Sequence, residues 1–385
     1  MEQTRRILIV ANTASMIKLF NMRNIAILQK MGFTVYVAAN FTVPGTISQS
    51  EAHKFELQLK EKGIHYFDIA FHRGVGNPVA NHHAFKQLCQ IVDKYGITAI
   101  HTHAPLSSII SRRVAKVKNI KCIYTSHGFQ FFPGGPLKNW LLFYPLEWYY
   151  AHWTDALITI NSDDYKTAKR MAAKHVYYIP GVGSSVSDSL ALPERISKEA
   201  RRCKRQELGV KNDDFMVLSV GELSKRKNHV TVLKAIAKLK DPHIKYYVAG
   251  IGPEREYLLN TAKELGIAQQ FHLLGFQTDL CNLYLAADLN AFISLREGLG
   301  MGGLDGVALG LFILASANTG AKDYVDSQTG ILIKKPLDED EVASAIKLVI
   351  DKGLKGCPDK DKLMQYDVSH IDKLMNKIYH QELCD

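Results

Sequence analysis

Short, continuous apolar runs recur along this chain, each separated from the next by a longer stretch of helical pattern. In the first half they are Ile7–Ala11, Thr34–Ala39, His65–Ile69, Ala99–His103, Cys122–Ser126, Ala156–Ile160 and Val176–Ile179. In the second half they are Met216–Val220, Lys245–Ala249, Phe271–Leu274, Leu289–Ser294, Phe312–Ala315 and Ile331–Ile333. A strand that is apolar throughout needs cover on both faces, and intervening helices supply it, so the pattern predicts parallel sheets between helical layers. A chain of 385 residues exceeds one ordinary core. The two sets therefore predict two doubly wound α/β domains, residues 1–184 and 206–370. Gly181–Ser189 has the Gly/Ser composition of a linker, and a basic helical pattern, Glu194–Glu207, follows it. We place the linker at 185–205.

In open α/β sheets ligands sit at the carboxyl ends of strands, and polar residues cluster there: Asn12, Asn40, His103, His127-Gly128, Gly221, Gly250-Ile251-Gly252 and Glu297. Two such domains facing each other would line a cleft with these groups. The most informative stretch is Ser294-Leu295-Arg296-Glu297-Gly298-Leu299-Gly300-Met301, with Asp305 beyond it. A buried strand, a Gly-rich turn and a helical segment, Leu304–Leu309, place free amides and a positive dipole end at the turn, which suits phosphate. Carboxylates repel phosphate, so Glu297 and Asp305 beside it make sense if they hold sugar or ribose hydroxyls. Val220-Gly221-Glu222-Leu223-Ser224-Lys225-Arg226-Lys227-Asn228 follows another strand, and its three adjacent cations suit a diphosphate leaving group; the plainer alternative is a solvated basic loop. Gly250-Ile251-Gly252-Pro253 lacks the third glycine of a dinucleotide fingerprint, and its simplest role is a tight turn with Pro253 opening a helix. His127 ends a strand, where a histidine is either an active-site group or a structural one. His101 and His103 share one strand face, without an obvious third metal ligand.

Net charge is +10, and residues 1–190 carry all of it: 21 Lys and Arg against 11 Asp and Glu, while residues 191–385 balance at 27 each. The asymmetry is either chance surface composition or the mark of a first half that meets an anionic partner, a bilayer surface or a lipid-linked phosphate. The six cysteines form no C-x-x-C pair, which argues against zinc and a disulfide framework and for reduced, cytoplasmic thiols. No signal peptide is visible before the first strand, and no apolar run is long enough to span a bilayer. Trp140–Trp153 is aromatic but interrupted by Pro145 and Glu147; a buried aromatic helix is favoured over an interfacial one.

Taken in order, these motifs resemble the family 4 retaining glycosyltransferases of the GT-B fold, in the branch that builds bacterial exopolysaccharide and capsule. The residues that carry the resemblance are Ile97–His103, Thr125-Ser126-His127-Gly128-Phe129, Pro136–Trp140 through Thr159-Ile160-Asn161, Ser219–Leu223 through Lys227-Asn228, Gly250–Arg255, and Arg296–Gly300. They span nearly the whole chain. The resemblance implies two Rossmann-like domains, the first on the acceptor side, with the last helix (about 371–385) returning to it. It implies that Glu297 contacts donor-sugar hydroxyls, that amides of Gly298, Leu299 and Gly300 meet the sugar and diphosphate, and that Lys227 grips the diphosphate. It implies that His127 lies beside the reacting sugar and that Gly275-Phe276 lies against the base. Departures are Asp305 where the second acid is usually Glu, Glu222 where a basic residue often follows Gly221, and Ser185 where an acid is usual; Arg226 stands in for the missing cation.

The activity so implied is metal-independent, cofactor-free retaining transfer of a sugar from a nucleotide donor, a UDP-hexose or UDP-N-acetylhexosamine, to a polyprenyl-diphosphate-linked saccharide. Its place is the inner face of the cell membrane, without nucleic acid as a partner. Alternatives are a nucleotide-sugar epimerase of the same architecture and a non-catalytic sugar-nucleotide-binding protein. An oxidoreductase is disfavoured, because no complete glycine fingerprint follows any strand.

Overall fold

The computed structural model describes residues 5–71 and 77–384. Among them, thirteen strands form two parallel sheets. The first holds β1 (Arg6–Thr13), β2 (Thr34–Asn40), β3 (His65–Asp68), β4 (Ala99–His103), β5 (Lys121–Ser126), β6 (Ala156–Thr159) and β7 (His175–Tyr178), in the order β3-β2-β1-β4-β5-β6-β7. The second holds β8 (Phe215–Val220), β9 (Ile244–Ala249), β10 (Phe271–Gly275), β11 (Leu289–Phe292), β12 (Ile313–Ser316) and β13 (Gly330–Ile333), in the order β10-β9-β8-β11-β12-β13. Every apolar run of the sequence is a strand. The reason is visible in β1, where Ile7, Leu8, Ile9 and Val10 are all fully buried, which only cover on both faces achieves. Each sheet reverses its winding once, beside β1 and beside β8, and such switch points are where open α/β sheets bind ligands.

The chain divides into two units. One contains residues up to Val182 together with those from Ser369 onward; the other is Gly183–Val368. The final helix, Val368–Leu383, lies against the first sheet. Its Tyr379 hydroxyl meets His101 Nδ1 at 2.8 Å. Glu382 accepts from Tyr177 at 2.6 Å and pairs with His175 at 2.8 Å, and Asp372 pairs with Arg23 at 2.6 Å.

Two expectations need correction. Residues 185–205 are not a linker but part of the second unit, as helices Val186–Ala191 and Glu194–Glu207. The basic face of the second helix is used rather than solvated. Arg201 donates to the carbonyls of Leu285, Ala286 and Ala287 at 2.7–3.0 Å, and Arg201 and Arg205 both pair with Asp288. The cations thereby satisfy the orphan carbonyls that end helix Leu280–Ala286. The second correction concerns the aromatic segment. Helix Leu137–Ala151 runs through Pro145, and Glu147 is buried against Arg112 at 2.8 Å. Its inner face packs Trp140 and Tyr144 on Phe131. Its outer face leaves Leu137, Leu141, Leu142, Trp148 and Tyr149 exposed, Leu137 and Leu141 at 72% each. Among the described residues, no helix is long and apolar enough to cross a membrane.

Candidate active site

In the second unit the basic loop after β8 and the turn after β11 are joined. Leu295 N–H donates to the Arg226 carbonyl at 2.8 Å, and the Arg226 guanidinium reaches the Arg296 carbonyl at 3.1 Å. Asn228, at φ 56, ties the loop down through the carbonyls of Ile293 (3.1 Å) and Pro336 (2.7 Å). The result is one carboxylate oxygen shared by two cations: Glu297 Oε1 lies 2.7 Å from Arg226 and 2.8 Å from Lys227 Nζ. Burial alone would raise the Glu297 carboxyl, but Lys227 and then Arg226 outweigh it and hold it below its ordinary range. Glu222 adds a second, looser carboxylate 4.0 Å from Arg226. Lys227 also lies 4.8 Å from the Phe292 ring centroid. Gly221 makes room for it, since a Cβ at Gly221 would stand 2.8 Å from Lys227 Cε.

The turn itself is pinned from the core. Tyr324 OH donates to the Gly300 carbonyl at 2.9 Å. Tyr284 OH and Asn290 Nδ2 donate to the Gly302 carbonyl at 2.7 and 3.1 Å. Gly300 takes φ 89, and helix Met301–Ala308 begins there, so the first helical amides and the positive dipole end are fixed in place. The Leu299 side chain is buried at 2% exposure, so any contribution to a ligand comes from its backbone. Asp305 accepts a short hydrogen bond from Ser184 Oγ; burial raises its carboxyl and Ser184 partly offsets this. Both line a cavity of about 320 Å³ with Tyr284, Met301 and Leu309, the size class of small-ligand pockets. Gly275 takes φ 70 and accepts the Gly250 N–H at 2.8 Å, while Phe276 stands 56% exposed. The expected turn is present, with Arg255 N–H donating to the Gly252 carbonyl at 3.4 Å and a helix beginning at Arg255, and the Gly250 pair has a second job. A Cβ at Gly250 or Gly252 would strike the carbonyl of Gly221 or Leu223, so these glycines let the Gly221 loop pass close by.

In the first unit three histidines cluster toward the carboxyl end of β4 and β5, His101 and His103 buried and His127 partly so. His101 is fully buried, its Nδ1 on Tyr379 and its Nε2 on the Thr125 hydroxyl, both at 2.8 Å. His103 Nδ1 meets His127 Nε2 at 3.1 Å. Burial lowers all three: His101 to about 3, His127 to about 4, and His103 well below the usual imidazole value. All three are neutral at pH 7. His103, Thr125 and His127 line a small cavity with Phe20, Arg23 and Asn24. Ala104, just after β4, is held at φ 72.

Sequence comparison assigns both units to one family. Residues 25–181 match the description "Glycosyltransferase Family 4", and residues 200–366 match "Glycosyl transferases group 1". EpsD of Bacillus subtilis (strain 168), which is assigned as a glycosyltransferase, is 32% identical over 86% of this chain and 84% of its own. The chain belongs to the family 4 glycosyltransferases. An Escherichia coli UDP-Gal:alpha-D-GlcNAc-diphosphoundecaprenol alpha-1,3-galactosyltransferase is 25% identical over 73% of this chain and 74% of its own. Among solved structures, Anabaena HepE in complex with UDP-glucose superimposes with a TM-score of 0.75 at 17% identity, covering 98% of this chain and 99% of that one. The fold of this glycosyltransferase is GT-B, two Rossmann-like domains.

The geometry brings Gly221, Arg226, Lys227 and Glu297 together around the Gly298–Gly300 turn. It keeps Asp305 apart with Ser184, and it puts His127 with His103. Sequence reasoning missed Ser184, His103 as the partner of His127, and the pins Tyr284, Asn290 and Tyr324. One of these carried a signal: Asn290 is a polar residue inside an otherwise apolar strand, and a buried amide there needs an internal partner. Among the described residues one group could place a cation by geometry, Asp213, Asp214 and His243. It lies at the amino ends of β8 and β9, the sheet edge opposite the site, with Asp213 and His243 exposed and Asp214 buried.

Proposed function

We propose that this glycosyltransferase moves a hexose or N-acetylhexosamine from a UDP-sugar, with retention and without metal, to a saccharide carried on polyprenyl diphosphate in bacterial surface polysaccharide synthesis. One observation carries the reading: two cations converge on Glu297 beneath a glycine turn whose carbonyls are pinned inward. A diphosphate takes over Lys227 and Arg226 as it leaves the sugar, and the turn amides share its charge, which is the role a divalent ion plays elsewhere. Glu297, freed from part of its pairing, accepts sugar hydroxyls. Asp305 accepts the ribose hydroxyls in place of Ser184, and Phe276 covers the base. The UDP donor and lipid diphosphate acceptor follow the wording of the galactosyltransferase's name, and the polysaccharide role follows the kinship with EpsD.

The acceptor calls for a membrane, and the outer face of helix Leu137–Ala151 supports docking to an anionic one. Its exposed residues are apolar or aromatic with Lys138, and its one carboxylate, Glu147, is buried under Arg112. Trp148 and Tyr149 have the amphipathic rings that settle at headgroup level, and the surrounding half of the chain carries the whole +10.

The test is transfer from UDP-, GDP- and ADP-sugars to a synthetic polyprenyl-diphosphate N-acetylglucosamine, with the product anomer read by NMR. An α-linked product from an α-linked UDP-sugar, undiminished by chelator, is expected. An inverted anomer overturns retention, chelator loss restored by magnesium overturns metal independence, and epimerised donor without acceptor selects the epimerase. Flotation of the full chain with vesicles addresses docking. Binding to anionic lipid that weakens with salt is expected, and equal partition into neutral vesicles overturns it.

A further inference from the structure

The pairing of His103 with His127 constrains where the protons sit. Their shared hydrogen bond, His103 Nδ1 to His127 Nε2 at 3.1 Å, needs one proton between two nitrogens. The other nitrogen of His103, Nε2, is buried and has no partner, and the residue is 1% exposed. If His127 donated, neutral His103 would carry its proton on Nε2 and bury an N–H with no acceptor. If His103 donates, Nε2 is a bare lone pair, the less costly orphan. Neither ring gains by charging: His103 is 1% exposed against the His101 ring, and none of the residues that line the cavity beside the pair is a carboxylate.

The geometry points to His103 as a positioning residue that locks His127 in one tautomer: Nε2 accepts from His103, and the proton sits on Nδ1. Among the described residues the His127 Nδ1–H has no hydrogen-bond partner within the protein, and the ring is only partly buried. His127 therefore meets its substrate as a neutral hydrogen-bond donor, aimed at an oxygen of the sugar or of the leaving phosphate, and not as a base. Two supports fix the donor. The His103 ring lies tilted against His101 with centroids 4.2 Å apart, and His101 is held at both nitrogens by Tyr379 and Thr125. The register that sets His103 opposite Thr125 across β4 and β5 then brings His127, two residues further on, beside it. The functional consequence rests on the reading of His127 as a group beside the reacting sugar. The tautomer itself does not.

Two measurements separate these. The first is a long-range proton–nitrogen spectrum of the resting protein labelled at histidine nitrogen, with His127 assigned by the loss of its signals in His127→Gln. Protonated Nδ1 and bare Nε2 on His127 are expected; a proton on Nε2, or rapid averaging over both, overturns the lock. The second compares His103→Leu with His103→Asn, whose amide nitrogen stands about where Nδ1 stood. The leucine variant should average the His127 tautomers and lower kcat roughly tenfold, the scale of one hydrogen bond, while UDP affinity stays within about twofold. The asparagine variant should restore the Nδ1–H signature and most of kcat. Full turnover in His103→Leu overturns the role in transfer. Should no nucleotide sugar support transfer while the wild-type tautomer holds, the lock stands and the functional reading fails.

Discussion

The two half-sites solve opposite problems. In the second unit the candidate groups are charged and already paired: Lys227 and Arg226 both rest on Glu297. In the first unit the working groups are imidazoles buried so that they stay neutral, linked to one another rather than to any carboxylate. Charge acts over distance and tolerates loose placement; a neutral hydrogen bond acts only in contact and needs the ring held. The charged half accordingly sits on glycine turns, while the neutral half sits on packed strands. Variants of the charged half should change binding and rate through electrostatics, whereas variants of the neutral half should change rate through geometry.

The largest effect falls on the charged half. Lys227→Ala should lower transfer at least roughly 10²-fold, the scale of losing one donor to a developing charge, and should weaken UDP binding. Steady-state kinetics and calorimetry check this together. Wild-type turnover in that variant would remove Lys227 from the site and leave the contrast without its main support.

Next come the two acids, which differ in partners within one unit. Asp305→Ala should weaken UDP by about 1.5–3 kcal/mol for lost charged hydrogen bonds. Glu297→Gln should lower turnover yet leave UDP binding intact or tighter, because it releases Lys227 and Arg226 from their internal anion. Calorimetry with UDP on both variants decides, and equal weakening would show that both acids serve the same part of the donor.

Much of this was legible in the sequence, for reasons tied to particular residues. The strands were readable because parallel strands apolar on both faces leave unbroken runs such as Ile7–Ala11. Glu297 and Lys227 stood out because charge in a Gly-rich strand end has few structural uses. What escaped was long-range pairing. Ser184 meets Asp305 from 121 positions away, and the link of His103 to His127 depends on strand register. Gly181–Ser189 looked like a linker because composition does not report that Arg201 and Arg205 bind a distant helix end. Trp140–Trp153 looked buried because an apolar helix pattern does not say whether anything covers its second face.

Acid should separate the halves further. A buried neutral histidine has a folded pKa below the ordinary 6.5 or so, so its stabilising effect is complete above about pH 6.5 and is lost as pH falls toward the folded value. His101, held at about 3, alone costs about 2 kcal/mol at about pH 5 by this linkage. The first unit has His101, His103 and His127 in this state. The second has His229, at about 4, and the half-buried His272, also lowered. The low carboxyl of Glu297 protects its pair until the pH falls below the ordinary carboxylate range, and the raised carboxyl of Asp305 works in the opposite sense. Trp140, Trp148 and Trp153, the only tryptophans in the sequence, all lie in the first unit, so their fluorescence reads that unit alone. Between pH 7 and about pH 5 the fluorescence-detected melting point should fall further than the circular-dichroism transition of the whole chain. Parallel shifts would mean that the neutral cluster is no more acid-sensitive than the charged half.

The smallest effect tests the backbone side of the comparison. Both halves need a left-handed residue at a strand-to-helix corner, and they meet the need differently: Gly300 at φ 89 in the charged half, Ala104 at φ 72 in the neutral one. A Cβ at Gly300 would lie 2.6 Å from Phe292 Cε1, so Gly300→Ala strains the turn and disturbs the ring over which Lys227 sits. At Ala104 the Cβ is already present, at a conformational cost of about 1–3 kcal/mol. Ala104→Gly relieves that cost but adds back about 0.5–1 kcal/mol of chain entropy and exposes the space of one buried methyl, worth about 0.8 kcal/mol. The balance runs from a loss of about 0.8 to a gain of about 1.7 kcal/mol and centres on a gain of about 0.5 kcal/mol, a rise of a few degrees at most in the fluorescence-detected melting point. If the rigid corner is what holds His103 against His127, the same substitution should lower kcat several-fold while it raises stability. A stabilised variant with unchanged kcat would show that the strain at Ala104 does not serve the histidine pair, and that the neutral half is held by strand packing alone.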